Sequence, residues 1–240
     1  MAIGKRETKE PTMVDHRIEN ETKAMKIADY LRADILNGVF EAGSRLTTKE
    51  ICDRYGVSNV PVREALRTLE SEKLLEINAY KGATVLQIDE EYISNIYEIM
   101  RTLQLLIYEK ALPFLTEEKL RYIGEVNEAI GVLRDTREDR LRYLELDRTF
   151  HDNIVSLSTN KPAIEMYDTY YRMVIAIRKA AYVPEYSRMR TAYEEHKAIV
   201  DALTKKDVLL LKLAVDRHGI GAEANFFSQH KFSLMGKRSE

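Results

Sequence analysis

The 240-residue sequence predicts a mainly α protein in two parts, a winged helix-turn-helix of α+β character followed by an all-α antiparallel helical bundle. Three observations predict it. Residues 45–83, RLTTKEICDRYGVSNVPVREALRTLESEKLLEINAYKGA, run through a short helical pattern, a glycine turn, a longer helical pattern and two β-prone stretches. After Ile88, glycine and proline become sparse and apolar residues recur at helical rather than alternating spacing. Turn signals at Pro113, 158–162 and 184–187 then cut this second part into lengths suited to a bundle.

Each element has a local reason. Residues 1–22 mix charges without apolar periodicity and are expected to form a flexible tail. In the winged part, 23–88, a helix over 48–55 carries Ile51 and Tyr55 one turn apart and ends at Gly56. Gly56-Val57-Ser58 turns the chain into a second helix over 60–71, whose Val62, Leu66 and Leu69 recur at helical spacing. Ser58 is expected to cap that helix, and Pro61 is tolerated in its first turn. Strands over 74–77 and 83–87, joined by Asn78-Ala79-Tyr80-Lys81-Gly82, form the hairpin wing.

The helical part, 89–225, opens with a helix over 90–112 that aligns Ile93, Ile96, Ile99 or Met100, Leu103, Leu106 and Ile107 on one broad face. Pro113 ends it. A second helix starts near Thr116, with Glu117 and Glu118 where the helix dipole favours them. Further helices are expected over 139–156, 163–182, 187–204 and 208–225, leaving 226–240 as a C-terminal tail.

Composition narrows the partners. A net charge of -2 gives no general affinity for polyanions, so any nucleic-acid binding rests on local placement and on doubling by dimerisation. The single cysteine, Cys52, excludes a disulfide framework, suits a reducing cytoplasm and reads as a packing residue. No run approaches the ~18–20 apolar residues of a membrane span; the most apolar stretch, 208–215, is interrupted by Lys212. No signal-peptide pattern opens the chain.

Arg63 and Arg67, four apart, share one face of the second helix. Arginine matches the N7 and O6 edge of guanine bidentately, or grips phosphate as a planar fork. A helix-turn-helix places its second helix in the major groove of DNA. The helix start at Ser58 suits a phosphate, and Lys81 and Gly82 at the hairpin tip suit a wing touching the minor groove or its backbone. The alternative is a small helical subdomain with surface arginines.

Gly56-Val57-Ser58 followed by Pro61-Val62-Arg63-Glu64-Ala65-Leu66-Arg67-Thr68-Leu69-Glu70 resembles the signature of the GntR family of bacterial transcription regulators. The resemblance covers about residues 26–87 and implies that Arg45, Lys49, Ser58, Arg63 and Gly82 contact operator DNA, alongside Arg67, Lys81 and Asn59. Asn59-Val60 stands where the family usually has Arg-Thr, so the operator sequence does not transfer from relatives. A glycine is common where this chain has Lys73.

Of five histidines, His151, His196 and His218 fall inside helices of the second part, and Asp147 lies one turn before His151. A bundle can converge one carboxylate and three imidazoles from three helices, a set that suits zinc, nickel, copper or iron, with the carboxylate extending the choice toward manganese. Otherwise His151 and His196 are buried structural histidines. Leu146-Asp147-Arg148-Thr149-Phe150-His151 and Glu195-His196-Lys197-Ala198-Ile199 are similar to segments of the FCD effector domain of FadR-like family members, a likeness covering most of 89–222. It implies that Asp147, His151, His196 and His218 bind a divalent metal, zinc first, with nickel or manganese as alternatives. Gly219 follows His218 where leucine is more usual.

Arg101 falls where the subgroup places a cavity-facing arginine that would hold an effector carboxylate, although a solvated pair with an acid such as Glu98 is as natural. Arg148, Arg172 and Arg178 are further candidates, and the tyrosines of 167–171 read as core and interface. The whole is expected to be a homodimeric, cytoplasmic transcription regulator, a repressor in the family's commoner mode, released from operator DNA by a small carboxylate-containing effector. The rival is a metal-dependent enzyme with Glu194 or Glu195 as general base. A metal that merely stiffens the bundle is the third possibility.

Overall fold

The computed structural model describes the backbone of residues 16–78, 82–178 and 183–229, and side chains from residue 23 onward. It opens with α1 (His16–Leu36), β1 (Arg45–Leu46), α2 (Thr48–Tyr55), α3 (Asn59–Ser71), β2 (Leu75–Asn78) and β3 (Gly82–Val85). The helical part follows with α4 (Glu90–Ala111), α5 (Glu117–Gly131), α6 (Arg137–Val155), α7 (Lys161–Arg178), α8 (Tyr186–Lys205) and α9 (Val208–Gln229).

Local chemistry sets these boundaries. Thr47 and Glu50 close a reciprocal capping box on α2, and Gly56 ends it in the left-handed conformation. Ser58 occupies the N-cap of α3 with extended backbone, but its side chain makes no capping bond, contrary to expectation. The third helical residue, whose N–H would donate to the Ser58 hydroxyl oxygen, is Pro61, which has no N–H. Lys73 adopts φ +57°, which accounts for the glycine usual at this place.

Asp89, Thr116 and Thr136 cap α4, α5 and α6 through their side chains. Pro113 converts the end of α4 into a single 3-10 turn, Leu112–Phe114. Pro162 lies inside the first turn of α7, where a missing N–H costs nothing, so that helix starts two residues earlier than expected.

Three further elements differ from the sequence reading. α1 begins at His16, inside the expected tail, and was not anticipated as an element. Its sequence is rich in helix-forming Glu, Lys, Arg and Ala, and tertiary packing of Ile27, Ala28, Leu31 and Ile35 completes it. β1 is two residues long and has no pattern of its own; pairing with β3 defines it. α9 runs four residues past the expected end at 225, anchored by buried Phe226. Residues 1–15, 179–182 and 230–240, including the outer tails and the expected end of α7, lie outside the described residues.

The sheet has the order β1-β3-β2, antiparallel throughout, with Leu46 opposite Ala83 and Ile77 opposite the same residue on the other side. Leu31, Ile35, Ile51, Leu66, Leu69, Leu74 and Val85 close the core beneath it. Arg32 of α1 ties this unit together through two bonds to the Glu72 carboxylate, at 2.8 and 2.7 Å. In the bundle, α4 packs on α7 and α9, α5 on α6 and α8, and α8 on α9, while α1 also meets α7. Among the described residues no helix is long and apolar enough to cross a membrane.

Candidate nucleic-acid interface and metal centre

The first site lies on the winged part. α3 buries Val62, Ala65, Leu66 and Leu69 and turns the opposite face outward, leaving Asn59, Arg63 and Arg67 exposed. An open cleft of about 620 Å³ is lined by Arg45, Lys49, Asn59, Arg63, Arg67, Asn78 and Gly82, among others. The structure thus gathers six of the eight expected DNA-binding residues around one concavity. Ser58 is exposed beside it, and Lys81 lies outside the described residues.

Arg67 is paired with Glu64 at 3.2 Å, an exposed i,i+3 contact of the kind that contributes little on its own. Asn59 accepts a bond from the Cys52 thiol at 3.2 Å, which makes Cys52 a positioning contact as well as a packing residue. Gly82 has a purely structural requirement too. Its φ is +84°, and an added Cβ would overlap the Leu46 carbonyl oxygen of β1.

The second site sits inside the bundle. Asp147 and His151 project from α6, His196 from α8 and His218 from α9, and one ligating atom of each lies within 4.8 Å of all the others. The three imidazoles are buried and Asp147 is half-buried. Phe150 stacks on His196, with ring centroids 4.0 Å apart and planes within 10°.

Each imidazole is oriented through its outer nitrogen. His196 Nδ1 lies 3.1 Å from Asn127 Oδ1, and Asn127 in turn donates to the Tyr193 carbonyl at 3.0 Å. His218 Nδ1 is 3.0 Å from Glu195 Oε2, and Arg188 Nη1 donates to the same oxygen at 2.7 Å. His151 Nδ1 meets the Tyr108 hydroxyl at 2.6 Å and the Gln104 amide at 3.2 Å. Tyr143 donates to Asp147 Oδ1 at 2.9 Å. Such outer partners fix tautomer and ring angle in histidine metal sites.

His196 Nε2 is buried with no hydrogen-bond partner and lies 3.6 Å from Asp147 Oδ1. A buried acceptor left this way costs free energy unless something else fills its lone pair. Electrostatics favour a cation there. Burial pushes His151 down to about 3 and His196 well below its ordinary value, so both rings are neutral at physiological pH. Three imidazoles and one carboxylate are a donor set that fits a divalent transition metal.

Beside the histidines is a cavity of about 70 Å³ lined by Arg101, Gln104, Tyr167, Tyr171, Arg178 and Gly219, with Asp147, His151 and His218 on its floor. Arg101 therefore faces the cavity as expected. Its counter-ion is Glu223 of α9 at 2.6 Å rather than Glu98. Arg178 also lines it and donates to the Tyr97 hydroxyl at 2.6 Å, whereas Arg148 pairs with Asp152 at 2.7 Å. Tyr167 and Tyr171, read as core, line the cavity as well.

Sequence reasoning missed Tyr108, Asn127, Arg188 and Glu223. Asn127 and Tyr108 carried a signal: each is a polar group on an otherwise apolar helical face, between Val126 and Ile130 or beside Ile107. Glu195, considered as a base, is committed elsewhere. Burial works to raise its pKa, but the His218 bond and Arg188 outweigh it, and the carboxylate titrates below its ordinary range. Glu194 is exposed and pairs with Lys197 at 3.5 Å.

A winged helix-turn-helix joined to a helical domain with a small cavity beside a histidine cluster is the architecture of a DNA-binding regulator with an effector domain. The family model described as bacterial regulatory proteins of the gntR family matches residues 23–85, and the FCD domain model matches residues 95–220. The chain belongs to the GntR family of bacterial transcription regulators and carries an FCD domain.

It is 26% identical over 208 residues to the HTH-type transcriptional regulator YdhC of Bacillus subtilis strain 168, covering 86% of this chain and 92% of that one. The gluconate operon transcriptional repressor of the same organism is 24% identical over 204 residues, covering 81% of each. The HTH-type transcriptional repressor RspR of Escherichia coli K12 is 26% identical over 193 residues, covering 78% of this chain and 82% of RspR. A solved structure described as Lar, which controls expression of the Listeria monocytogenes agr system, shares the fold with a TM-score of 0.65 at 17% identity, covering 86% of this chain and 97% of that one. Escherichia coli McbR/YncC does so with a TM-score of 0.55 at 21% identity, covering 86% and 98%. These relatives are regulators, and the enzyme reading falls with them.

Proposed function

We propose that this regulator is a cytoplasmic homodimeric repressor whose operator affinity is set by a small organic acid bound at a divalent metal in the helical domain. The observation that carries the reading is the buried Asp147, His151, His196, His218 cluster with its unpartnered Nε2, opening onto a cavity walled by Arg101. The residues hold the ion. Bound there, zinc, nickel or manganese supplies a Lewis-acidic anchor for a carboxylate or hydroxyl. Arg101 supplies a second, directional contact to the acid. Names of relatives such as the gluconate operon repressor support both the sugar-acid scale of the ligand and repression as the mode.

On the winged part, Arg63 and Arg67 enter the major groove with Asn59 beside them. Arg45, Lys49 and Ser58 grip the flanking backbone, and the wing with Lys81 and Gly82 follows the minor groove. Two copies read two half-sites about one DNA turn apart. Exposed Ile99 and Leu106 on α4, with Leu213 and Ile220 on the adjacent α9, support pairing of the helical domains through that face. α7 lines the cavity and also meets α1 of the winged part, so a ligand that prefers one placement of α7 biases the placement of the DNA-reading helices.

The test is a selection of operator fragments from random duplex DNA with the purified protein, followed by anisotropy titration with metal, chelator and a panel of hydroxy acids. Sequence-specific binding relieved by an acid only in metal-loaded protein is the expected result. Operator binding indifferent to both metal and every acid would refute the sensing half of the reading.

A further inference from the structure

The group that occupies Arg101 belongs to the chain itself. Arg101 Nη1 donates to Glu223 Oε2 at 2.6 Å, and the Ser94 hydroxyl donates to Glu223 Oε1 at 2.6 Å. Both carboxylate oxygens are therefore engaged. The pair is largely withdrawn from water, with side chains 19% and 16% exposed. The geometry is built into α9. Gly219 and Glu223 lie four residues apart on one helical face, next to the ligand His218. An added Cβ on Gly219 would lie 2.6 Å from Arg101 Cδ, so the missing side chain is what lets the arginine lie along α9 and reach Glu223. The leucine usual at this place would push Arg101 off that course.

We propose that Glu223 is a specificity-determining residue of the effector cavity. It is the resident counter-ion of Arg101, and it withholds from hydroxy acids with two carboxylates the gain in affinity that Arg101 would otherwise give them over similar acids with one. The proposal rests on the reading of this cavity as an effector site. An acid anchored by its hydroxycarboxylate end at the metal leaves the Arg101–Glu223 pair intact. A second carboxylate reaching for Arg101 must instead compete with Glu223 at a guanidinium that Glu223 already neutralises, either expelling it or lying beside a like charge in a half-buried place. One carboxylate is merely exchanged for another at the guanidinium, so the second acid group adds almost nothing to affinity. Like charge against like charge at a shared cation is a recognised route to discrimination.

The test uses lactate and malate, which share a 2-hydroxycarboxylate end and differ by a second carboxylate. Binding of each to full-length, metal-loaded protein is measured by calorimetry for the native chain, Glu223→Gln and Ser94→Ala. Metal content is checked in each protein. The native chain is expected to bind malate within about threefold of lactate. Glu223→Gln is expected to favour malate by about tenfold or more while leaving lactate within about twofold of native, and Ser94→Ala to shift the ratio the same way by less. A ratio unmoved by Glu223→Gln, or a native chain that already prefers malate tenfold, overturns the proposal. Should Glu223→Gln fail to fold, an unmoved ratio in Ser94→Ala overturns it equally. If neither acid binds any of the three proteins although the metal is present, the effector reading itself falls, and this inference with it.

Discussion

Lowering the pH of the metal-free protein from 7.5 to 5.5 should destabilise it through His151 and His196. Burial depresses both imidazoles, His151 to about 3 and His196 well below the ordinary range. In the unfolded chain each returns to about 6.5. Below that value the unfolded state takes up protons that the folded state refuses, so acid favours unfolding. The stability contributed by these neutral rings is complete above the unfolded value and is lost as pH falls from there toward the folded ones. At pH 5.5, one unit below the unfolded value, the loss is roughly 1 kcal/mol per ring, or about 2 to 3 kcal/mol for the pair. Urea unfolding followed by circular dichroism in excess chelator at the two pH values measures it. His151→Gln or His196→Gln should each remove about half of the pH dependence. Equal native stability at both pH values, or the same pH dependence retained in both variants, would refute the reasoning. Adding metal should raise stability at both pH values without steepening the part due to these two rings, which are already unprotonated in the folded protein there.

Other perturbations read other parts of the molecule. Arg63→Ala should weaken specific operator binding by about 1 to 3 kcal/mol in anisotropy titrations at fixed salt, and unchanged affinity would remove Arg63 from the interface. His151→Ala should lower the metal content of the purified protein and, with it, the response of DNA binding to acids; full occupancy by elemental analysis would count against the site. Gly82→Ala should destabilise by at least about 1 kcal/mol, since the new residue must hold φ +84° against the Leu46 carbonyl, and thermal unfolding tests it.

Legibility followed the range of the interaction. The glycine stop at 56, the arginines four apart on α3 and the Asp147–His151 pair are helical-period signals, and the structure places them as that period requires. The convergence of His196 and His218 with that pair depends on packing between α6, α8 and α9; no spacing encodes it, so the bundle reading left it open and the family resemblance made it the expectation. α1 escaped because its burial stripe is interrupted by charges, one of which, Arg32, finds its partner 40 residues away. The capping role given to Ser58 failed on one local fact, that Pro61 has no N–H to donate to the Ser58 hydroxyl oxygen. Glu223 could not have been found from sequence, since nothing in α9 announces a partner on α4.

Gly219 and Gly221 in α9 have a consequence of a different kind. A side chain at Gly221 would lie 2.6 Å from Glu195 Oε1 and 2.9 Å from Arg188 Nη1, so this glycine guards the pair that steers His218, as its neighbour cradles Arg101. Each glycine lowers helix propensity by about 1 kcal/mol relative to alanine. The last two and a half turns of α9 are therefore held by what they touch rather than by their own backbone preference. Removing those contacts, rather than altering helix propensity, is what would release this segment from the bundle.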